Sequence, residues 1–195
     1  MCGIVGAIAQ RPIVDILLEG LRRLEYRGYD SAGIAVIRDS GDLVRSRAVG
    51  KVAALLERLE AEPIDGKIGI AHTRWATHGV PAERNAHPHF SGQWVGLVHN
   101  GIIENHAELR HRLQSENGYE FHSDTDTEVV AHLIDLFRRQ GLSLFDCVMA
   151  ARHELRGAYA LAVISPDDPD TLVVARQGSP LVIGLGIGEN FIGSD

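Results

Sequence analysis

The chain has 195 residues, 45% hydrophobic and 23% charged, which is enough for one sizeable core and too few for two full domains. A formal net charge of −7 with a pI near 5.8 argues against a nucleic-acid surface, since phosphate binding calls for a basic patch and none stands out. Two distant cysteines, Cys2 and Cys147, suggest neither a disulfide framework nor a metal-ligand cluster, no apolar run approaches the ~20 residues that span a bilayer, and the N-terminus lacks a signal-peptide pattern. A soluble cytoplasmic protein without a membrane partner is expected.

Residues 2–9 form a continuous run of small and β-branched side chains, as expected for a strand buried on both faces, with Cys2 at its end. From Ile13 the apolar positions Ile13, Ile16, Leu17, Leu21 and Leu24 recur at helical spacing and stop before Arg27-Gly28. Residues 32–37, 67–73 and 94–99 read as strands, the last two ending in polar clusters. A short helix is predicted over 105–113. A stronger one runs through Val129, Val130, Leu133, Ile134 and Phe137 to Gly141, and a third covers 144–155, with Cys147 in its apolar face. Strands return at 158–164, 171–175 and 181–185, separated by turns at 165–169 and 178–180. Helices grouped in this way favour layered α+β, with packed sheets and helices outside, over a doubly wound sheet. Phe191-Ile192-Gly193-Ser194-Asp195 carries no closing signal, so residues 1–195 are expected to be a C-terminally truncated single domain.

Cys2 follows the initiator methionine. Removing Met1 would put a thiol and a free α-amine on one residue, and an α-amine titrating at about 7.7–8.0 can take and return a proton near neutral pH. A lone cysteine is otherwise a small buried hydrophobe. Polar density is concentrated in Tyr26-Arg27-Gly28-Tyr29-Asp30-Ser31-Ala32-Gly33, Ala71-His72-Thr73-Arg74-Trp75-Ala76-Thr77-His78-Gly79, His99-Asn100-Gly101-Ile102-Ile103-Glu104-Asn105 and Ser123-Asp124-Thr125-Asp126-Thr127-Glu128. Each has a plain alternative: Asn100-Gly101 reads as a turn, Asp126 or Thr125 as a helix cap, Arg74 as a surface ion-pair residue and Trp75 as core.

Together with a cysteine at position 2, these segments resemble the glutaminase domain of class II glutamine amidotransferases, the N-terminal-nucleophile amidotransferases. The resemblance covers essentially the whole chain, with five motifs in the family's order. Within the class, Arg27-Gly28-Tyr29-Asp30-Ser31-Ala32-Gly33 and Thr73-Arg74-Trp75-Ala76-Thr77-His78-Gly79 look like the glucosamine-6-phosphate synthase branch. Amidophosphoribosyltransferases usually differ at the Tyr29 and Trp75 positions.

The resemblance implies a four-layer αββα sandwich of the N-terminal-nucleophile hydrolase type. It also implies L-glutamine as substrate, with Cys2 as nucleophile and Asn100 and Gly101 as oxyanion donors. Arg74 would grip the substrate carboxylate and Asp126 its ammonium, with further contacts from Thr77 and His78. Trp75 would stand between the glutamine site and the ammonia exit, and the Gly28 carbonyl would lie near the terminal amine. In the complete protein ammonia would pass to fructose 6-phosphate on a sugar-isomerase domain absent from these residues. The resemblance suggests homodimers, often through that domain, which leaves this chain monomeric by itself. No cofactor is implied. The ten histidines, His87-Pro88-His89 with His72 and His78 above all, invite a metal reading, but they form no helical His-x-x-x-His pair and no metal is expected.

Overall fold

The computed structural model describes residues 2–75 and 80–195; Met1, Thr77 and His78 lie outside the described residues. Among the described residues ten strands and five α-helices follow one another as β1 (Gly3–Ala9), α1 (Val14–Leu24), β2 (Ser31–Ile37), β3 (Leu43–Val49), α2 (Val52–Ala61), β4 (Ile68–Arg74), β5 (His89–Ser91), β6 (Val95–Ile103), α3 (His106–Ser115), α4 (Asp126–Arg138), α5 (Leu144–Glu154), β7 (Gly157–Ile164), β8 (Val173–Gln177), β9 (Val182–Leu185) and β10 (Glu189–Gly193). They form two antiparallel sheets, one ordered β3-β2-β4-β1-β10-β9 and the other β5-β6-β7-β8.

Side-chain alternation along the strands builds the layers. On β1, Val5 and Ala7 face a cluster with Leu17, Leu21 and Leu24 of α1 and Leu55 and Leu59 of α2, while Ile4 faces the opposite way. Ile4 meets Ile70 of β4 and, from the other sheet, Val98 of β6 and Ala160 and Ala162 of β7. The reverse faces of β6 and β7, carrying Leu97, Tyr159 and Leu161, pack on Leu109, Val130, Leu133 and Cys147 from α3, α4 and α5. The result is the expected αββα order. Strands buried on both faces have no reason to alternate polar and apolar residues, which explains the unbroken apolar run at 2–9.

Sequence reasoning passed over β3, β5, β10 and α2. Arg45, Ser46 and Arg47 interrupt the apolar pattern of β3, which forms a sheet edge, where polar side chains are tolerated. The larger difference concerns β6, which does not stop at residue 99 but runs on through Asn100 and Gly101 to Ile103, paired residue for residue with β7. Asn100-Gly101 is therefore strand interior, not a turn. Gly101 has φ +121°, and a Cβ there would sit 2.1 Å from the Ala158 carbonyl oxygen, so the strand continues only because this residue has no side chain.

Candidate active site

Three strand segments and one helix end converge. The antiparallel register sets Gly3 opposite Thr73, which brings Cys2, just before β1, beside Arg74 and Trp75 at the end of β4. The other side of β1 is held by Ser194, which donates its backbone N–H to the Ile4 carbonyl at 3.1 Å and accepts the Ile4 N–H on its hydroxyl at 2.9 Å. From the second sheet, the Asn100 Nδ2 donates to the Cys2 carbonyl at 3.0 Å. The N-terminus of α4 supplies Asp126 and Thr127. Cys2, Arg74, Trp75, Gly101 and Asp126 line one pocket together with His87, His99, Thr125 and Thr127.

The cap reading holds for Thr125, and the other plain readings give way. Thr125 takes the capping role, its hydroxyl accepting the Glu128 N–H at 3.4 Å, which leaves Asp126 free to turn its carboxylate elsewhere. Asp126 Oδ2 accepts the Ile103 N–H at 2.8 Å, and Oδ1 stands 3.9 Å from His99 Nδ1. Arg74 is 3% exposed, with its Nη1 3.8 Å from Asp30 Oδ1, so it is a buried cation and not a surface partner. Trp75 is 47% exposed and meets the Tyr29 ring edge-on at 5.4 Å, outside the core. Gly28 packs against the β4 end: a Cβ there would lie 2.8 Å from the Arg74 carbonyl carbon.

Cys2 is half-buried, and its sulfur accepts the Trp75 N–H at 3.2 Å. Burial pushes the thiol above its ordinary pKa, opposed by that N–H and by Arg74. The sulfur thus rests protonated and needs a base to attack. Among the described residues its hydrogen-bond partners are the Trp75 backbone N–H and carbonyl, with no carboxylate or imidazole.

The pocket wall and the layer behind it hold a cluster of buried histidines, of which the sequence grouped His72, His87 and His89 only as a metal reading that was not expected to hold. His72 of β4 stacks on His87 with ring centroids 4.0 Å apart, and His87 meets His89 at 4.8 Å. The Thr127 hydroxyl lies 2.9 Å from His87 Nε2 and 2.8 Å from His99 Nδ1; having one hydrogen, it donates to one ring and accepts from the other. Among the described residues no group of three or more His, Cys, Asp or Glu side chains is arranged to hold a metal ion. The signal for this cluster was spacing across strands, which becomes visible only once β4, β5 and β6 are placed. Glu128 anchors its far side. Burial works against the Glu128 charge, but His132, the Ser123 hydroxyl and the N–H groups of His122 and Ser123 outweigh it and hold the carboxyl at about 2.

The family model described as "Glutamine amidotransferase domain" matches residues 72–194. The chain belongs to the glutamine amidotransferase domain family. It is 60% identical over all 195 residues to the glutamine–fructose-6-phosphate aminotransferase (isomerizing) of Pseudomonas putida, and equally to that of Salmonella typhi, covering 32% of each. The chain thus spans about a third of the length of these curated relatives. The glutamine phosphoribosylpyrophosphate amidotransferase of B. subtilis superposes with a TM-score of 0.82 at 30% identity, over 99% of this chain and 42% of that one. A glutamine aminotransferase class-II domain protein from Silicibacter pomeroyi shares the fold, with a TM-score of 0.68 at 16% identity over 98% of this chain and 88% of its own.

The histidine cluster makes stability depend on pH. Burial lowers His72 to about 3 and takes His87 and His89 well below the usual imidazole value. Unfolded imidazoles titrate at about 6.5, so below that pH the unfolded chain binds protons that the native one refuses, and stability falls with falling pH. The urea midpoint should drop between pH 7.5 and pH 5.5, before carboxylates begin to titrate. A constant midpoint over that range would contradict a neutral buried cluster.

Proposed function

We propose that this chain, once Met1 is removed, hydrolyses the side-chain amide of L-glutamine to glutamate and ammonia. The observation that carries the reading is the pocket in which a rest-protonated cysteine thiol, a buried guanidinium and a buried carboxylate converge. Free glutamine has a reacting amide at one end and an ammonium and a carboxylate at the other. Arg74 can clamp the carboxylate with two parallel hydrogen bonds, and Asp126 can accept from the ammonium. Thr77 and His78 would add contacts at that end, with Trp75 over the departing ammonia.

The α-amine of Cys2 takes the thiol proton, through a water because transfer within one residue is strained, as the sulfur attacks the amide carbon. The carbonyl oxygen becomes an oxyanion that the Asn100 amide and the Gly101 N–H stabilise without adding charge, with the Gly28 carbonyl beside the amine. Collapse breaks the carbon–nitrogen bond, the amine returns its proton to the leaving group, and ammonia departs from a γ-glutamyl thioester. Water, deprotonated by the same amine, then releases glutamate and restores the thiol.

The relatives' name supports fructose 6-phosphate as the ammonia acceptor of the complete protein, yielding glucosamine 6-phosphate, and 60% identity to them against 30% to the phosphoribosylpyrophosphate enzyme favours it over the other acceptor. These 195 residues alone should release glutamate and ammonia from glutamine whether or not fructose 6-phosphate is present. Amino-sugar formation by them would refute the division of labour. Cys2→Ala should abolish turnover while calorimetry still detects glutamine; equal loss of binding would count against separate attack and recognition groups. Arg74→Lys keeps the charge but not the fork, and should weaken glutamine binding at least about tenfold if two charge-assisted bonds become one. Near-wild-type affinity would remove Arg74 from the carboxylate.

A further inference from the structure

We infer that His72 is a positioning residue for Asn100: its Nε2 hydrogen holds the Asn100 side-chain oxygen and thereby fixes which end of that amide faces Cys2. This rests on the glutaminase reading above. The Cys2 carbonyl can only accept, so the Asn100 group 3.0 Å from it is the NH2. The Asn100 Oδ1 therefore points away, and it lies 3.0 Å from His72 Nε2. The His99 carbonyl oxygen is also 3.0 Å from that nitrogen. Two acceptors facing one ring nitrogen require it to carry the hydrogen, which defines the tautomer.

Nδ1 of His72 is then a bare lone pair, fully buried and without a hydrogen-bond partner among the described residues. Leaving such a group unpaired destabilises the fold, a cost that a leucine of similar size would avoid. What only the imidazole supplies is the Nε2 hydrogen on Asn100. The ring cannot swing away easily, because His87 stacks on it at 4.0 Å and is itself tied to the Thr127 hydroxyl. A flipped Asn100 would lose its bond from His72, set Oδ1 against the Cys2 carbonyl oxygen and withdraw a donor from the oxyanion. Burial keeps the ring neutral at working pH, so His72 orients the amide without adding a charge to the pocket.

The test is steady-state glutamine hydrolysis by Met1-free chain, confirmed by intact mass, for wild type, His72→Leu, Asn100→Ala and the double variant. His72→Leu should lower kcat by about 10- to 100-fold, less than the roughly 10²–10³ for deleting a donor outright, with KM within about threefold. On the Asn100→Ala background the same change should lower kcat by less than about threefold, because the residue it acts through is gone. An equal factor in both backgrounds, a wild-type kcat, or a loss confined to KM overturns the proposal. Should His72→Leu fail to fold, His72→Gln and His72→Asn replace it. The glutamine amide nitrogen reaches the place of Nε2 and should retain most of kcat, the asparagine one stops near Nδ1 and should not, and equal kcat values overturn the proposal. An inactive wild-type chain would refute the glutaminase reading itself, whereas an active one with an additive cycle removes only His72.

Discussion

The Asn100 amide ties the two sheets together beside Cys2. Asn100 belongs to β6 of the four-stranded sheet, yet it donates to the carbonyl of Cys2, which precedes β1 of the six-stranded one. The bond gives Cys2 a fixed position relative to β6, so the sulfur, the amide and the Gly101 backbone keep one geometry. Everything else in the pocket is arranged around that join. The β1–β4 register brings Arg74 and Trp75 alongside, and α4 directs its first turn at the same place. A one-residue slip of β1 along β4 would turn Ile4 out of the inter-sheet layer, so core packing and site geometry enforce the same pairing.

The electrostatics follow from this burial. Arg74 and Asp126 are almost wholly removed from water, and each is countered by a group on a different element: Arg74 by Asp30, Asp126 by the Ile103 N–H. Opposite charges held apart on rigid elements suit a zwitterionic substrate, and the half-buried thiol between strand ends remains neutral until a base acts on it. The histidines beneath contribute hydrogen bonds and stacking without charge. That permits close packing under a pocket already carrying a cation and an anion.

Much of this was legible in the sequence because strands buried on both faces and helices with a single apolar stripe leave clear patterns. Residues 2–9, 32–37 and 158–164 were readable on those grounds, and the family resemblance supplied the four layers. Where local signals mislead, tertiary packing is the reason. Asn100-Gly101 has the composition of a turn, but Gly101 is needed where the Ala158 carbonyl comes close in mid-strand. Arg45 and Arg47 disguise β3 because an edge strand tolerates charge. The sequence marks His72 only as one of the histidines that invite a metal, since its partners are distant in the chain: Asn100 and His99 on β6, and His87 in the loop before β5. Thr77 and His78 enter only through the resemblance and lie outside the described residues.

The most direct test of the account is a crystal structure of the Met1-free chain reacted with a glutamine analogue bearing an electrophilic ketone in place of the amide. The expected adduct has a bond from Cys2 Sγ to the ketone carbon, with its oxygen within hydrogen-bond reach of Asn100 Nδ2 and the Gly101 N–H, the ligand carboxylate on Arg74 and its ammonium on Asp126. An adduct on Cys147, or one on Cys2 whose amino-acid end points away from Arg74 and Asp126, would contradict it.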